Sequence, residues 1–221
     1  KMKDMETCVQ YTAGNINISE EHLHLWFCHT YAPEGYLWVF PKGHGLANVG
    51  LGISGNAARH KAPLTYLNEF MQDHFPNASI LSFVAGGVPC DKTLENIVTD
   101  GLLLVGDAAH QVNPITGGGI VPALIAGKIA GEVASSAIAS GDVSAKALQP
   151  YPRQWHKAEG KNHQIFYKLK DYVYKLSDDE LEDIANVGLG VPVEKRTMLT
   201  LFRAALVKKP SLVFDAIKVF T

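Results

Sequence analysis

The sequence predicts an α+β fold with an antiparallel sheet, one strand–turn–helix unit and a C-terminal helical subdomain. Up to about residue 100, short runs rich in β-branched and aromatic residues are separated by turn residues. From about residue 117 onward, the apolar residues recur with a helical period instead. Strands first and helices last is the order of an α+β protein. It divides the chain into residues 1–100, 101–145 and 146–221.

The first part contains the strands of the predicted sheet. Runs rich in Val, Tyr, Leu and Phe predict strands at 6–13, 22–30, 35–43, 46–54 and 79–90. We expect the first two strands to pair with each other through the GNINISEE segment. The next two are expected to form a hairpin that turns at KGHG. A helix is predicted over about 60–75, and Pro76 ends it.

The rest of the chain supplies one short strand and several helices. The LLLV segment at 102–105 is wholly apolar, which predicts a strand buried on both faces. Pro150 and Pro152 predict a late start or a bend in one of the helices. The apolar stretch Ile120–Ile138 is interrupted by a Lys and a Glu, so we expect a buried helix rather than a membrane span. Helices are predicted over 117–140, 145–174, 178–186, 195–207 and 210–219.

The composition limits the partners and the compartment. The 221 residues carry a formal net charge of -2, so no basic excess is present to neutralise phosphates, which argues against a nucleic-acid partner. Cys8, Cys28 and Cys90 are too far apart for a C-x-x-C site, and their odd number does not suit a disulfide framework. We therefore expect a reducing, cytoplasmic location. Residues 146–221 hold more basic than acidic side chains, which fits either a solvated helical face or peripheral contact with anionic phospholipid.

The segment GLLLVGDAAHQVNPITGGGI, residues 101–120, predicts a ligand-binding turn. An apolar strand delivers Asp107 at its carboxyl end, where open α/β sheets bind ligands and a carboxylate can accept hydrogen bonds from ribose hydroxyls. Ala108 is small enough to let a ligand approach the backbone, and Pro114 fixes the chain before the glycines. Glycines 117–119 leave the N–H groups of a helix start open to an anion or a developing negative charge. A tight strand–helix connection uses similar glycines, but the whole combination favours a cofactor site.

A second pattern lies on the predicted hairpin. Tyr36, Trp38 and Phe40 recur at period two and share one side of a strand, which Pro41 is expected to end. Glycines 50 and 52 share one face of the next strand. Large aromatic rings beside glycines would form a wall with a gap, which suits a long apolar ligand. The alternative is that core aromatic rings fill the space that the glycines leave.

Both patterns resemble motifs of one flavoprotein superfamily. GLLLVGDAAHQVNPITGGGI resembles the second FAD-binding motif of the flavoproteins related to para-hydroxybenzoate hydroxylase. Y-x-W-x-F-P, followed after eight residues by G-x-G, resembles the substrate-side motif of the geranylgeranyl reductases within that superfamily. The segments FPKG and ANVGLG are most similar to the branch that acts on archaeal membrane lipids.

The resemblance implies a cofactor, a reaction and two sets of site residues. The implied cofactor is FAD, and the implied reaction is hydride transfer from reduced flavin to an isoprenoid C=C bond of a membrane-lipid precursor. The electron donor would be NAD(P)H or a ferredoxin-like protein; no catalytic residue is assigned and no metal is implied. The implied cofactor contacts are Gly106, Asp107, Ala108, Pro114, Gly117, Gly118, Gly119 and Ile120. The implied substrate contacts are Tyr36, Trp38, Phe40, Pro41, Gly50 and Gly52.

One feature of the superfamily is missing from the sequence. The spacing G-x-G-x-x-G occurs at residues 50–55, but it lies within a strand of the predicted hairpin, so the sequence lacks the βαβ fingerprint that relatives use to hold the ADP part of FAD. We therefore expect the chain to be the C-terminal portion of a longer enzyme, and none of its three cysteines to replace the catalytic cysteine known in relatives. A flavin monooxygenase of the same superfamily, or a prenyl-lipid-binding fragment without catalysis, remains the alternative.

Overall fold

The computed structural model describes residues 4–196, which fall into two units. The sheet unit contains residues 7–87 and 171–196. The turn unit contains residues 88–170 together with residues 4–6. The mixture of an antiparallel sheet with helices confirms the predicted α+β class.

Five strands form the sheet, in the spatial order β2-β3-β4-β1-β5. The predicted hairpin is confirmed, because β3 and β4 pair antiparallel with Tyr36 opposite Gly52 and Trp38 opposite Gly50. Pro41 does not end β3, which continues to Gly43 through an irregularity in the register. The strand bounds are β1 Met5–Gly14, β2 His24–Trp26, β3 Gly35–Gly43, β4 Leu46–Ser54 and β5 Ser79–Pro89.

The predicted pairing of the first two strands is wrong. β2 pairs with β3, whereas β1 lies between β4 and β5. Burial explains the difference. β1 carries the buried residues Val9 and Ala13 and needs cover on its core face, whereas β2 is three residues long, buries none of them and suits an edge.

The core of the sheet unit lies between one face of the sheet and α2. The helices α1 and α2 span Ala57–His60 and Pro63–His74, and the proline stands at the first helical position, where its missing N–H costs nothing. Leu67 and Phe70 of α2 are buried against the strands. Alternate residues of β3 and β4 complete this core: Leu37, Val39, Val49, Leu51 and Ile53. The aromatic residues of β3 therefore lie on the opposite face of the sheet.

The sheet unit also contains α7, Asp178–Leu189. Ser177 caps this helix: its side chain accepts from the Glu180 N–H, and the Glu180 carboxylate accepts from the Ser177 N–H. His29 contacts the first turn, with Nδ1 2.6 Å from Asp178 Oδ1. The predicted helices at 195–207 and 210–219 lie outside the described residues, except for residues 195 and 196.

The turn unit begins with a short hairpin and continues as helices. β6 (Val98–Thr99) pairs antiparallel with β7 (Leu102–Leu103). The prolines break the predicted long helix as expected, and a π-helical turn at His156–Gly160 adds a second break. The helix bounds are α3 Ile120–Ser140, α4 Ala145–Leu148, α5 Pro150–Trp155 and α6 Lys161–Val173.

Two burial predictions for this unit are wrong. The strand at 102–105 is reduced to the two residues of β7, and Leu102 is 45% exposed. The helix α3 is largely exposed because it buries only a stripe of small residues, flanked by the half-buried Ile125 and Ile129, while large side chains such as Leu124 and Ile138 face outward. By length and composition alone, α3 is long and apolar enough to cross a membrane. One such helix among the described residues is weak evidence for a membrane span. The inward stripe is Ala126, Ala130, Val133 and Ala137.

Candidate functional site

The predicted ligand-binding turn begins at Gly106, three residues after the end of β7, with an unusual backbone. Gly106 has a φ of +64°, a left-handed conformation that favours glycine. Residues Gly106–Ala109 form a single 3₁₀ turn, and His110 ends it with a φ of 54°. Within residues 4–196, His110 Nδ1 is buried without a hydrogen-bond partner. The Asp107 side chain is exposed at the outer side of this turn.

The three glycines form the second half of the turn. Gly117 has a φ of +67°, and its N–H donates to the Asn113 carbonyl at 2.9 Å. The Asn113 N–H in turn donates to the Gly118 carbonyl at 3.0 Å, so the loop is closed by its own backbone. A Cβ atom at Gly119 would lie 3.1 Å from Asp107 Oδ1. The absence of a side chain at Gly119 therefore allows the Asp107 carboxylate to lie beside the start of α3.

The start of α3 is open to a ligand. Gly119 is the N-cap of this 21-residue helix, and no side chain among residues 4–196 caps it. The first N–H groups of an α-helix have no intrahelical partner, and the helix dipole adds partial positive charge there. Gly118 and Ile120 are exposed at this end, and Pro114 is buried behind them. The predicted helix start at residue 117 is wrong, because the Gly117 N–H donates to the Asn113 carbonyl and the Gly118 N–H donates to Thr116 Oγ1 at 3.2 Å. The turn thus presents the Asp107 carboxylate beside the N–H groups of Gly119, Ile120 and Val121.

A buried polar contact under the turn was not anticipated from the sequence. The Gly106 N–H donates to Gln111 Oε1 at 2.8 Å, and Gln111 Nε2 donates to the Tyr151 hydroxyl at 2.8 Å. Both side chains are fully buried. The one available signal was Gln111 itself, a large polar side chain within the motif to which the sequence assigned no role.

The aromatic residues of β3 form a continuous row on the face of the sheet opposite α2. The Tyr36 and Trp38 ring centroids are 5.7 Å apart, and those of Trp38 and Phe40 are 6.0 Å apart and stacked. Phe27, next to β2, extends the row, because its centroid is 5.5 Å from that of Tyr36. The Trp38 indole is held by a hydrogen bond from Nε1 to Gln10 Oε1 at 3.0 Å.

The glycines of β4 receive the Trp38 ring rather than leaving a gap. A Cβ atom at Gly50 would lie 2.7 Å from Trp38 Cζ2, and one at Gly52 would lie 3.9 Å from Trp38 Cζ3. The space predicted beside the aromatic wall is therefore filled at Gly50 by the indole. The apolar surface instead continues toward the sheet edge, where Leu25 lies opposite Trp38 and both Leu25 and Phe27 are exposed.

The two sets of predicted residues belong to different units. The cofactor set lies entirely in the turn unit, and the structure brings Asp107, Gly118 and Gly119 together at the start of α3. The substrate set lies entirely in the sheet unit, on one face of β3 and β4.

Comparison with known proteins gives the same family for both units. Residues 4–88 match the geranylgeranyl reductase catalytic domain. A digeranylgeranylglycerophospholipid reductase from Methanocella arvoryzae is 43% identical over 217 residues, covering 98% of this chain and 55% of the relative. A geranylgeranyl bacteriochlorophyll reductase-like structure from Thermoplasma acidophilum aligns with a TM-score of 0.90 and 31% identity, over 99% of this chain and 56% of that protein.

More distant structures share the fold alone. A flavin-dependent brominase aligns with a TM-score of 0.60 and 16% identity, over 96% of this chain and 57% of the brominase. The chain spans about half the length of the reductases it matches.

Proposed function

Because this chain belongs to the geranylgeranyl reductase family, we propose that it supplies flavin and substrate contacts to an FAD-dependent reductase of membrane-lipid precursors. The reaction would saturate isoprenoid C=C bonds, as the names of the relatives describe for geranylgeranyl groups. The observation that carries the proposal is the approach of Asp107 to the uncapped start of α3, in a chain related to these reductases over nearly its whole length.

The residues of the turn fit a flavin dinucleotide. The Asp107 carboxylate is exposed and suits ribityl or ribose hydroxyls, which donate hydrogen bonds. Side chains at Gly118 or Gly119 would crowd Thr116 Oγ1 and Asp107 Oδ1, so the glycines keep the cradle open. When bound, reduced FAD supplies the hydride equivalent for the reduction.

The start of α3 would stabilise negative charge on the ring edge of the reduced cofactor. Its unpaired N–H groups and the helix dipole are oriented before any ligand arrives, so little reorganisation is needed. Such fixed donors act most strongly where water is excluded. The apolar side chains of Ile120 and Val121, which are exposed at the same helix end, would help to exclude water once a cofactor covers them.

The aromatic row would hold the isoprenoid chain. An isolated alkene offers no polar group for recognition, so binding must come from apolar contact, orientation and exclusion of water. Tyr36, Trp38 and Phe40, together with Pro41, provide such a surface on β3. Gly50 and Gly52 would act through Trp38, because they allow its indole to lie flat against β4.

The proposal includes an electron donor of the NAD(P)H or ferredoxin type, since the flavin must be reduced again after each turnover. It also includes peripheral contact with a membrane, because substrates of this class are lipids. The exposed apolar side chains Leu25 and Phe27, beside the aromatic row, support such contact.

The experiment that tests the cofactor site is flavin release. The purified protein is denatured, and the released flavin is identified and counted per chain. Asp107→Asn should weaken FAD binding by about ten- to a hundredfold, which corresponds to a lost charge-assisted hydrogen bond. Asp183→Asn, an equal loss of charge on the exposed face of α7, is the matched control and should leave binding unchanged. Equal binding by the two variants would contradict the assignment of Asp107.

Assays on the same purified protein distinguish the reductase from the alternative functions. A reductase should transfer two hydrogens to a geranylgeranyl lipid under strictly anaerobic conditions. A monooxygenase should instead require oxygen and return an oxygenated product. A non-catalytic prenyl-lipid-binding protein should bind the lipid but release no flavin on denaturation.

A further inference from the structure

A buried polar network lies beneath the turn at residues 106–119. Tyr151 on α5 and Gln111 in the turn are both fully buried, although each carries polar groups that are costly to remove from water. A buried amide and hydroxyl are tolerated when every donor meets an acceptor. The hydrogen bonds of Tyr151 and Gln111 are therefore needed to offset the cost of burying these polar groups.

The donor and acceptor of each hydrogen bond in this network are determined. The Tyr151 hydroxyl donates its single proton to the Leu104 carbonyl at 2.8 Å, so it must accept from Gln111. Burial raises the pKa of the Tyr151 hydroxyl, which keeps that proton in place. The orientation of the Gln111 amide is then fixed, with Nε2 toward the tyrosine and Oε1 toward the Gly106 N–H.

The network holds the backbone on both sides of Val105, the residue that precedes the turn. Leu104 is held through its carbonyl and Gly106 through its N–H, and the Gln111 N–H also donates to the Gly106 carbonyl at 3.0 Å. Gly106 is the residue with the left-handed φ that starts the turn, and Asp107 follows it directly. A contact that fixes Gly106 therefore fixes the direction in which the Asp107 carboxylate leaves the backbone.

A second buried residue holds the other side of the turn. His163 Nε2 lies 2.7 Å from the Val112 carbonyl, so this nitrogen carries the proton and Nδ1 is the acceptor. Thr93 Oγ1 lies 3.4 Å from Nδ1. The Val112 side chain lies next to Gly119, since a Cβ there would be 3.5 Å from Val112 Cγ2. His163 thus supports the start of α3 as Gln111 supports the start of the turn.

We infer that Tyr151, Gln111 and His163 are positioning residues for the flavin: they hold the turn between Gly106 and Gly119 in its binding shape before the cofactor arrives. The inference rests on the proposed FAD site. Without these contacts the turn would sample other shapes, and the apparent affinity would fall with the fraction of protein in the competent shape. Chemistry on bound flavin would change little, because none of the three side chains belongs to the proposed contact set.

The test uses Tyr151→Phe, which removes one oxygen and preserves the ring. We expect FAD to bind about tenfold more weakly, because a competent fraction of about one tenth raises the apparent Kd by that factor. Amide hydrogen exchange should become faster in residues 104–112, while the rate per bound flavin stays that of the parent. The matched control is Tyr31→Phe in the sheet unit, which removes a hydroxyl donating to exposed Asp73 and should change neither quantity.

A pair of substitutions at His163 keeps the test decisive if one variant folds poorly. His163→Ala should weaken FAD binding in the same way. His163→Gln should restore it, because its amide offers one N–H for the Val112 carbonyl and one oxygen for Thr93.

The outcomes separate this inference from the proposed function. Parent-like FAD binding and exchange in Tyr151→Phe would overturn the positioning role. A parent protein that releases no flavin would instead contradict the FAD site. Hydrogen exchange at 104–112 would then still decide whether the network fixes the turn.

Discussion

Replacing Gly50 with alanine should destabilise the sheet unit, because two rigid groups occupy the space of the new methyl group. The added Cβ would lie 2.7 Å from the backbone oxygen of Val9 and 2.7 Å from Trp38 Cζ2. Ordinary carbon contacts lie at roughly 3.5–4.0 Å. The neighbouring strand β1, the indole, or both must therefore move by close to an ångström.

The magnitude follows from the cost of overpacking a filled site. Forcing an extra carbon into well-packed structure costs about 1–3 kcal/mol. The lower entropy of the unfolded chain with alanine returns about 0.4–1 kcal/mol, so the net loss lies in the lower part of that range. For a chain of this size, each kcal/mol lowers Tm by roughly 2–4 °C.

The assay is thermal unfolding of the purified protein, with Gly86→Ala as the matched control. Gly86 stands in the same sheet, on β5, and a Cβ there would meet nothing within 4 Å. We expect Gly50→Ala to lower Tm by several degrees and Gly86→Ala to leave it unchanged or slightly higher. Equal unfolding temperatures for the two variants would refute the close approach of β1 and Trp38 to Gly50.

Three further predictions concern the helices and the turn. Burial lowers the pKa of His163, so as the pH falls the imidazole is protonated in the unfolded chain before it is protonated in the folded protein. The contribution of His163 to the free energy of unfolding should therefore be full above about pH 6.5 and decline below it. His163→Gln should flatten the pH profile of stability below about pH 6.5. Ser177→Ala should cost about 1 kcal/mol, measured by denaturant unfolding against Ser136→Ala on α3 as control, because it removes the α7 cap. Gly117→Ala should weaken FAD binding, measured by titration, because alanine is strained at a φ of +67°, whereas Gly131→Ala, in open space on α3, should not.

Local patterns in the sequence predicted the hairpin well. The alternation in 35–43 and 46–54 gives both strands, and His44 and Gly45 in the KGHG turn adopt the positive φ values that a tight reversal needs. The pairing of β1 was not predictable in the same way. The position of β1 beside β4 depends on the burial of Val9 and Ala13 and on the space at Gly50. Both of these appear only in the assembled sheet.

The sequence likewise predicts only part of the candidate site. Its glycines and Asp107 are adjacent in sequence, so their juxtaposition follows from local geometry. The support from Tyr151 and His163 joins residues some 40 to 50 positions apart in the chain, and no periodic pattern predicts such a contact. The exposure of α3 was also missed, since its composition is apolar all round and only the packed structure shows which side is covered.

We propose that this chain is part of a flavoprotein that reduces isoprenoid double bonds. The most direct test is a single turnover without oxygen. The purified protein is reduced, mixed with a geranylgeranyl lipid, and followed by flavin absorbance and by mass spectrometry of the lipid. We expect the flavin to be reoxidised as the lipid gains two hydrogens for each bond saturated. A flavin that stays reduced while the lipid stays unchanged, in protein that binds both, would contradict it.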